Sequence, residues 1–199
     1  MTDELILASA SPTRARLLAT AGLVVSVEPA AVDEEAVKQT LRAEGHAAVD
    51  CALALAELKA RGIAKSHSRA LVIGADQILV CDGLWFDKPS NLDGAYAQLK
   101  ALRGRTHRLV TAVCVVQNAT RIWHIVSQPQ LTMREFSDRF LDDYLAVEGA
   151  AVLDSAGAYR LEGRGVQLFE RVEGDYFAIL GLPLVELLGF LRNRGDIPS

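Results

Sequence analysis

Short apolar runs and long periodic apolar stretches divide the chain into predicted strands and helices. The runs at residues 5–8, 71–73 and 109–116 are typical of strands that are buried on both faces. The Ala/Leu-rich stretch at residues 47–63 has the period of a helix, and so does the segment at residues 184–194. The pattern therefore predicts a mixture of strands and helices along the chain.

Capping residues and glycines mark where several of these elements begin and end. Ser11 is a good N-cap, Pro12 suits the first helical position, and Gly22 supplies the stop. Ser90 and Asp93 predict a capping box at the start of another helix. The other predicted strands are at residues 23–27, 122–126, 131–136 and 166–172. The other predicted helices are one at residues 36–43, one that runs from the capping box to residue 102, and one that runs from an N-cap at Ser137 to about residue 147.

The stretch from Leu71 to Pro89 contains the least expected polar residue of the chain. Asp76 lies between two apolar half-strands, and burying an unpaired charge is costly, so this acid indicates a function. Asp82-Gly83 is typical of a two-residue hairpin turn, and the returning segment carries Lys88. We predict that Asp76 and Lys88 face one cleft.

Hydroxyl groups and arginines surround the start of the first predicted helix. Ser9 and Ser11 precede this helix, and Arg14 and Arg16 lie in its first turns. Free backbone N–H groups, the positive end of the helix dipole and arginine together favour a phosphate group. An ordinary capped helix with solvated arginines explains the same residues equally well.

Two other sets of charges have both a structural and a functional interpretation. The acidic residues Asp33, Glu34 and Glu35 precede a helical segment, where acids usually serve the helix dipole. The alternative is that one of them holds a divalent metal ion. Lys59 lies near the end of its helix, where a lysine is normally a partner of the dipole.

Composition and charge narrow the functional classes. The 199 residues are 50% hydrophobic, which is enough for a sizeable core, and the formal net charge of -4 argues against a nucleic-acid binder. The three cysteines are far apart and lack metal-ligand spacing, which favours reduced, buried thiols in a cytoplasmic protein. The longest apolar tract, residues 177–191, contains Pro183 and Glu186 and is too short to cross a bilayer, so no membrane is expected.

A series of short motifs occurs in one order along nearly the whole chain. They are L-A-S-x-S-P-x-R, V-D-E, G-A-D-Q, K-P, G-R-T-H, A-G-A-Y, E-G-D-Y and G-L-P-L. In this order the chain resembles the Maf family of nucleoside triphosphate pyrophosphatases. The resemblance implies one domain over residues 1–199 with an α/β fold, in which helices flank an elongated mixed β-sheet and a central cleft separates two lobes, as in the inosine triphosphatases.

The resemblance also implies an activity and a set of site residues. Family members hydrolyse a nucleoside triphosphate to the monophosphate and pyrophosphate with a divalent cation, Mg²⁺ or Mn²⁺, and this removes non-canonical or modified nucleotides. The catalytic aspartate of the family falls on Asp76, which also serves as a metal ligand together with Glu34. The substrate-binding positions fall on Ser9, Arg14, Lys59 and Lys88.

Three positions that the family uses to select the base hold Thr13, Gln77 and Glu162 in this chain. Members that act on thymidine or uridine triphosphate generally have arginine, threonine and glutamine there, and members that act on 7-methyl-GTP have tryptophan, glutamine and glutamate. Gln77 and Glu162 therefore match the 7-methyl-GTP group, whereas Thr13 matches neither group. A glutamate also accepts the paired N–H groups of a guanine edge, so a purine, in particular a 7-methyl-GTP-like one, is the expected base.

A non-enzymatic role is the alternative interpretation. The family takes its name from inhibition of septum formation, so the alternative is a regulator of cell division that binds nucleotide without consuming it. The expected partner is in either case a nucleoside triphosphate, with no nucleic acid and no membrane. Members are often dimers, so the resemblance also allows a homodimer.

Overall fold

Eight strands, seven α-helices and two short 3-10 helices follow one another in residues 3–198, the part of the chain that the computed structural model describes. The strands are β1 (Leu5–Leu7), β2 (Ser26–Val27), β3 (Leu71–Cys81), β4 (Leu84–Phe86), β5 (Thr106–Gln117), β6 (Thr120–Ser127), β7 (Gln130–Met133) and β8 (Phe169–Glu173). The helices are α1 (Pro12–Thr20), α2 (Glu34–Ala43), α3 (Ala48–Ala64), α4 (Leu92–Leu102), α5 (Asp138–Glu148), α6 (Tyr176–Ile179) and α7 (Leu184–Arg194), and the 3-10 helices are Gly149–Asp154 and Arg164–Leu168.

The strands form one mixed sheet in the order β2-β1-β3-β5-β7-β8, with β4 paired to β3 and β6 paired to β5. β1 runs parallel to both β2 and β3. The pairs β3–β4, β5–β6, β5–β7 and β7–β8 are antiparallel. This arrangement confirms the α/β fold with a mixed sheet that the resemblance implies.

The chain divides into two compact units, and β3 and β5 each contribute to both. The first unit comprises the residues up to Gln77, Thr111–Ser127, and the residues from Asp175 onward. Its core places leucines of α1 and α7 against alternate residues of β1, β3 and β5. Period-2 alternation along a strand explains why only every second β3 residue joins this core. The single domain expected over residues 1–199 stays a prediction.

The second unit comprises Ile78–Val110 and Gln128–Gly174. In this unit the rings of the buried Tyr159 and the half-buried Phe169 pack around His107, at centroid distances of 5.6 and 5.9 Å from the imidazole. Arg103 links α4 to α5, because its Nη1 donates to the Phe136 carbonyl at 2.8 Å and its Nη2 donates to Asp138 Oδ1 at 2.6 Å.

Several of the local predictions are confirmed by the structure. Ser11 is the N-cap of α1, with Pro12 in the first helical position, and Ser137 is the N-cap of α5. The turn at Asp82-Gly83 joins β3 to β4 with φ angles of 49° and 80°, as a hairpin turn of this type requires. No helix within residues 3–198 has the length and hydrophobicity needed to cross a membrane.

Among the predicted boundaries that differ from the structure, four have a clear physical reason. The N-cap of α4 is Asn91 rather than Ser90, because the amide oxygen of Asn91 accepts from Gly94 N at 2.8 Å. The strand predicted at 23–27 shrinks to Ser26–Val27, since only Ile6 and Leu7 of the short β1 pair with it.

The other two errors are in the second unit. The strand predicted at 166–172 begins at Phe169, after a 3-10 turn in which a side chain at Gly165 would collide with the backbone of Arg160. The strand predicted at 131–136 ends at Met133, the last residue of β7 that pairs with β8.

Candidate active site

Strand β3 places Asp76 and Gln77 on opposite faces of the sheet. Leu71, Ile73 and Ala75 belong to the core formed with α1 and α7. Because successive strand residues alternate between faces, Asp76 lies on the other face, where α3 packs, and Gln77 lies on the face of Ala75.

Lys59 of α3 links the two acids that the resemblance assigns to the metal ion. Its Nζ lies 2.7 Å from Asp76 Oδ1 and 2.8 Å from Glu34 Oε1. Lys59 and Asp76 are 7% and 4% exposed, whereas the Glu34 side chain at the start of α2 is 45% exposed. Partial burial by itself would raise the pKa of Glu34, but Lys59, together with Lys38 and Arg14, holds this pKa below its ordinary value.

Gly74 brings α3 close enough to β3 for this contact. A Cβ atom at position 74 would collide with the carbonyl oxygen of Ala56 and would lie 2.9 Å from the Cβ of Ala60. Small residues on both elements therefore allow a close approach of helix and strand. Lys59 follows in the same turn of α3 and reaches Asp76 two residues beyond Gly74.

Arg14 is held by protein oxygen atoms. Its Nε donates to the Gly181 carbonyl at 2.8 Å, and its Nη1 donates to Ser9 Oγ at 3.1 Å and to the Ala75 carbonyl at 3.0 Å. Burial lowers the pKa of Arg14, against the opposing effect of the negative charges of Asp76 and Glu34. Within residues 3–198, Nη2 makes none of the hydrogen bonds of this guanidinium, so it is the nitrogen left to bind an anion.

Gln77 is fixed by acceptors on α6 and β5. Its Nε2 donates to Thr111 Oγ1 at 2.7 Å and to the carbonyls of Ala178 and Ile179 at 3.0 and 3.2 Å. Thr111 Oγ1 in turn donates to the Ala178 carbonyl at 2.9 Å. The amide nitrogen of Gln77 is therefore engaged by protein acceptors.

Two parts of this arrangement are not predicted from the sequence. Thr111 is a fully buried hydroxyl within the otherwise apolar run of β5, and that interruption was the signal that could have identified it. No feature of the sequence identifies the Gly181 carbonyl as a partner of Arg14, because the two residues meet only in the tertiary structure.

The remaining predicted site residues are Thr13, Lys88 and Glu162. Thr13 is half-buried in the first turn of α1, in the first unit. Lys88 is exposed just after β4, and Glu162 is half-buried with Arg160 Nε 3.6 Å from its Oε1; both belong to the second unit. Their roles in substrate binding stay predictions.

The acidic pair fits a divalent cation. Oδ2 of Asp76 is buried and has no hydrogen-bond partner within residues 3–198, so one carboxylate oxygen is left to bind a ligand. No cluster of three or more His, Cys, Asp or Glu residues suitable for a metal ion occurs in that range. Mg²⁺ usually takes one or two carboxylates and completes its shell with phosphate oxygens and water, which matches a site built from Asp76 and Glu34.

A buried acid, a lysine and an arginine on a mixed α/β sheet are typical of enzymes that act on phosphate compounds with a divalent cation. The chain belongs to the Maf-like protein family, whose model matches residues 4–194.

Curated relatives match the chain over almost its whole length. A nucleoside triphosphate pyrophosphatase of Granulibacter bethesdensis is 56% identical over 191 residues, which are 96% of this chain and 97% of that protein. A nucleoside triphosphate pyrophosphatase of Rhodospirillum rubrum is 52% identical over 199 residues, which are 100% of this chain and 98% of that protein. A 7-methyl-GTP pyrophosphatase of Rhizobium meliloti is 49% identical over 199 residues, 100% of both chains.

Proposed function

We propose that the protein hydrolyses a nucleoside 5′-triphosphate to the nucleoside monophosphate and pyrophosphate with the help of a divalent cation. The names of its relatives support this reaction. The observation that carries it in the molecule is the buried carboxylate of Asp76: Lys59 neutralises one oxygen, and the other has no hydrogen-bond partner among the described residues 3–198.

The reaction is attack of water on the α-phosphorus. A new P–O bond forms, the bond from this phosphorus to the bridging oxygen breaks, and pyrophosphate leaves with that oxygen. Asp76 orients the water and accepts its proton. Asp76 and Glu34 would hold the divalent cation, which would supply positive charge to the phosphate oxygens and make a water molecule easier to deprotonate.

The cations of the site bind and orient the triphosphate. Ser9, Arg14 and Lys59 belong to the first unit, and the Arg14 guanidinium is pre-oriented by its bonds to protein carbonyls. Lys88 has the same role by resemblance to the family. Fixed donors aimed at phosphate oxygens stabilise the negative charge of the transition state without reorganising during the reaction.

The preferred base is a purine of the 7-methyl-GTP type. Gln77 and Glu162 have the residue types of that group, and one relative bears the name 7-methyl-GTP pyrophosphatase. Gln77 is held in place, because its amide nitrogen is engaged by Thr111 and two carbonyls. A carboxylate such as that of Glu162 suits the donor groups on a guanine edge, while Thr13 departs from the group's tryptophan.

The test is pyrophosphate release by the purified protein with Mg²⁺ and a panel of GTP, 7-methyl-GTP, UTP and dTTP. We expect pyrophosphate and monophosphate in equal amounts, with 7-methyl-GTP turned over fastest. Asp76→Asn should lower kcat by at least about 100-fold, whereas the exposed hairpin acid replaced in Asp82→Asn should leave it unchanged. Release of orthophosphate would place the attack at another phosphorus, and binding without turnover would favour the regulator.

A further inference from the structure

Lys59 already supplies a counter-charge to both carboxylates that would hold the divalent cation. Its ammonium contacts Asp76 at 2.7 Å and Glu34 at 2.8 Å. The Arg14 guanidinium adds a second positive charge that interacts with the same two acids. Lys38 adds a further positive charge near Glu34. The cations of this cluster therefore already compensate the two carboxylates before any metal ion is added.

A divalent cation added to this cluster would meet repulsion. Mg²⁺ binds carboxylate oxygens at about 2.1 Å, so an ion on Asp76 or Glu34 would lie within a few ångströms of the Lys59 ammonium. Lys59 and Asp76 are almost fully buried, and charges that are shielded from water are screened little by solvent and salt. The helix α3 is seated closely on β3 at Gly74, which holds the stem of Lys59 beside Asp76.

The triphosphate tail changes this balance because it is a polyanion. Its phosphate oxygens are strong acceptors for an ammonium group and for the Nη2 atom of Arg14. Once Lys59 and Arg14 are partnered by phosphate, the carboxylates of Asp76 and Glu34 regain the negative charge that attracts a divalent cation.

We infer that Lys59 is an internal counter-cation that makes divalent-metal binding at Asp76 and Glu34 conditional on the triphosphate. The inference rests on the proposed function for the identity of the anion. It gives Lys59 a positioning role in addition to phosphate binding: it weakens metal binding to the protein alone and strengthens it in the presence of nucleotide.

The direct test is the affinity of the protein for Mn²⁺ without nucleotide, measured by electron paramagnetic resonance of the free ion. Lys59→Met should bind Mn²⁺ at least about tenfold more tightly than the wild type, because a nearby positive charge is removed. Lys59→Arg keeps the charge and should bind as the wild type does. The matched control is Lys100→Met, in which a half-exposed lysine 3.6 Å from Asp138 is replaced. Equal or weaker binding by Lys59→Met overturns the inference.

A second measurement uses only the wild type and tests whether metal binding depends on the nucleotide, also where Lys59→Met does not fold. The melting temperature is recorded with Mn²⁺ alone, with the non-hydrolysable α,β-methylene analogue of GTP in EDTA, and with both. Coupled binding predicts a rise with both that exceeds the sum of the separate rises. A rise with Mn²⁺ alone as large as the rise with both contradicts the inference.

These measurements separate the two proposals because neither depends on turnover. If Lys59→Met binds Mn²⁺ more tightly but the wild type hydrolyses no triphosphate, the proposed reaction is wrong and the counter-cation role of Lys59 is supported. If the wild type releases pyrophosphate but Lys59→Met binds Mn²⁺ as the wild type does, the proposed reaction is supported and the counter-cation role of Lys59 is wrong.

Discussion

At the scale of single residues, burial determines the state of His107. The side chain is 2% exposed, its Nε2 lies 2.8 Å from the Tyr159 hydroxyl, and its Nδ1 has no hydrogen-bond partner within residues 3–198. Burial lowers the pKa of His107 from 6.5 to about 4 and raises the pKa of Tyr159. Both groups are therefore neutral in the folded protein near neutral pH.

The depressed pKa of His107 predicts a loss of stability in mild acid. The unfolded chain takes up this proton below pH 6.5 and the folded protein only below about pH 4, so stability is retained above pH 6.5 and falls between the two values. The loss from this residue is about 3 kcal/mol. Urea unfolding at pH 7 and pH 4 should show it in the wild type.

The matched variants for this prediction are His107→Phe and His124→Asn. His107→Phe should be less stable at pH 7, because it removes the partner of a buried hydroxyl, and its free energy of unfolding should depend less on pH. His124 is exposed on β6, so its replacement should leave the wild-type pH dependence intact. An unchanged pH dependence in His107→Phe would contradict the assignment.

At the scale of elements, the contact between α3 and β3 connects the fold to the site. The buried side of α3 is mainly alanine, with Cys51, Leu55 and Lys59 among the alanines, which is why the sequence identified this helix readily as apolar and periodic. The alanines opposite Gly74 allow the close approach that sets Lys59 against Asp76.

Gly74→Ala should separate these two elements. Because the added methyl group meets the backbone of Ala56, we expect a loss of about 1–3 kcal/mol in the free energy of unfolding. Pyrophosphate release should fall as well, since the Lys59–Asp76 contact depends on the spacing of the two elements. Urea unfolding and the pyrophosphate assay measure the two effects.

Gly189→Ala is the control for this substitution. Gly189 is in the interior of α7, and nothing lies within 4 Å of an added Cβ. Alanine should therefore stabilise the protein by up to about 1 kcal/mol through helix propensity. Equal stability of the two alanine variants would show that the contact at Gly74 is not tight.

Local signals predicted most of the elements but not all of their ends. Caps at Ser11 and Ser137 and the hairpin at Asp82-Gly83 depend on neighbouring residues, and each is confirmed. The strand predicted at 23–27 fails because its length is set by its partner β1, which is distant in sequence. The predicted N-cap at Ser90 is wrong for another reason: Ser90 and Asn91 are both good caps, and the backbone geometry makes Asn91 the cap.

At the scale of the whole molecule, the three cysteines are buried and form no disulfide. Burial raises the pKa of Cys114 to about 12 and also raises the pKa of Cys81. The thiolate is the reactive form of cysteine, so both burial and the shifted pKa protect these side chains. The prediction of buried thiols is confirmed.

The native protein should therefore react slowly with a thiol reagent such as Ellman's reagent. We expect fewer than about one equivalent to react at pH 8 in the time in which guanidinium-unfolded protein releases all three. Ser68→Cys, at an exposed turn position, is the positive control and should add one fast equivalent. Fast reaction of three equivalents in the native wild type would mean that the buried positions open readily.

The sequence by itself determined the alternation of strands and helices, the principal caps and turns, the family, and the residue types of the site. These properties depend on residues that are close in the chain or on motifs in a fixed order, so no packing is needed to recognise them. Only the tertiary structure decided which charges meet. Lys59 and Asp76 are 17 residues apart, and Arg14 and Gly181 are 167 residues apart, so their contacts depend on how α3 and the loop after α6 pack. The acid was predicted from its apolar surroundings, whereas its partner was set by the approach of one helix to one strand.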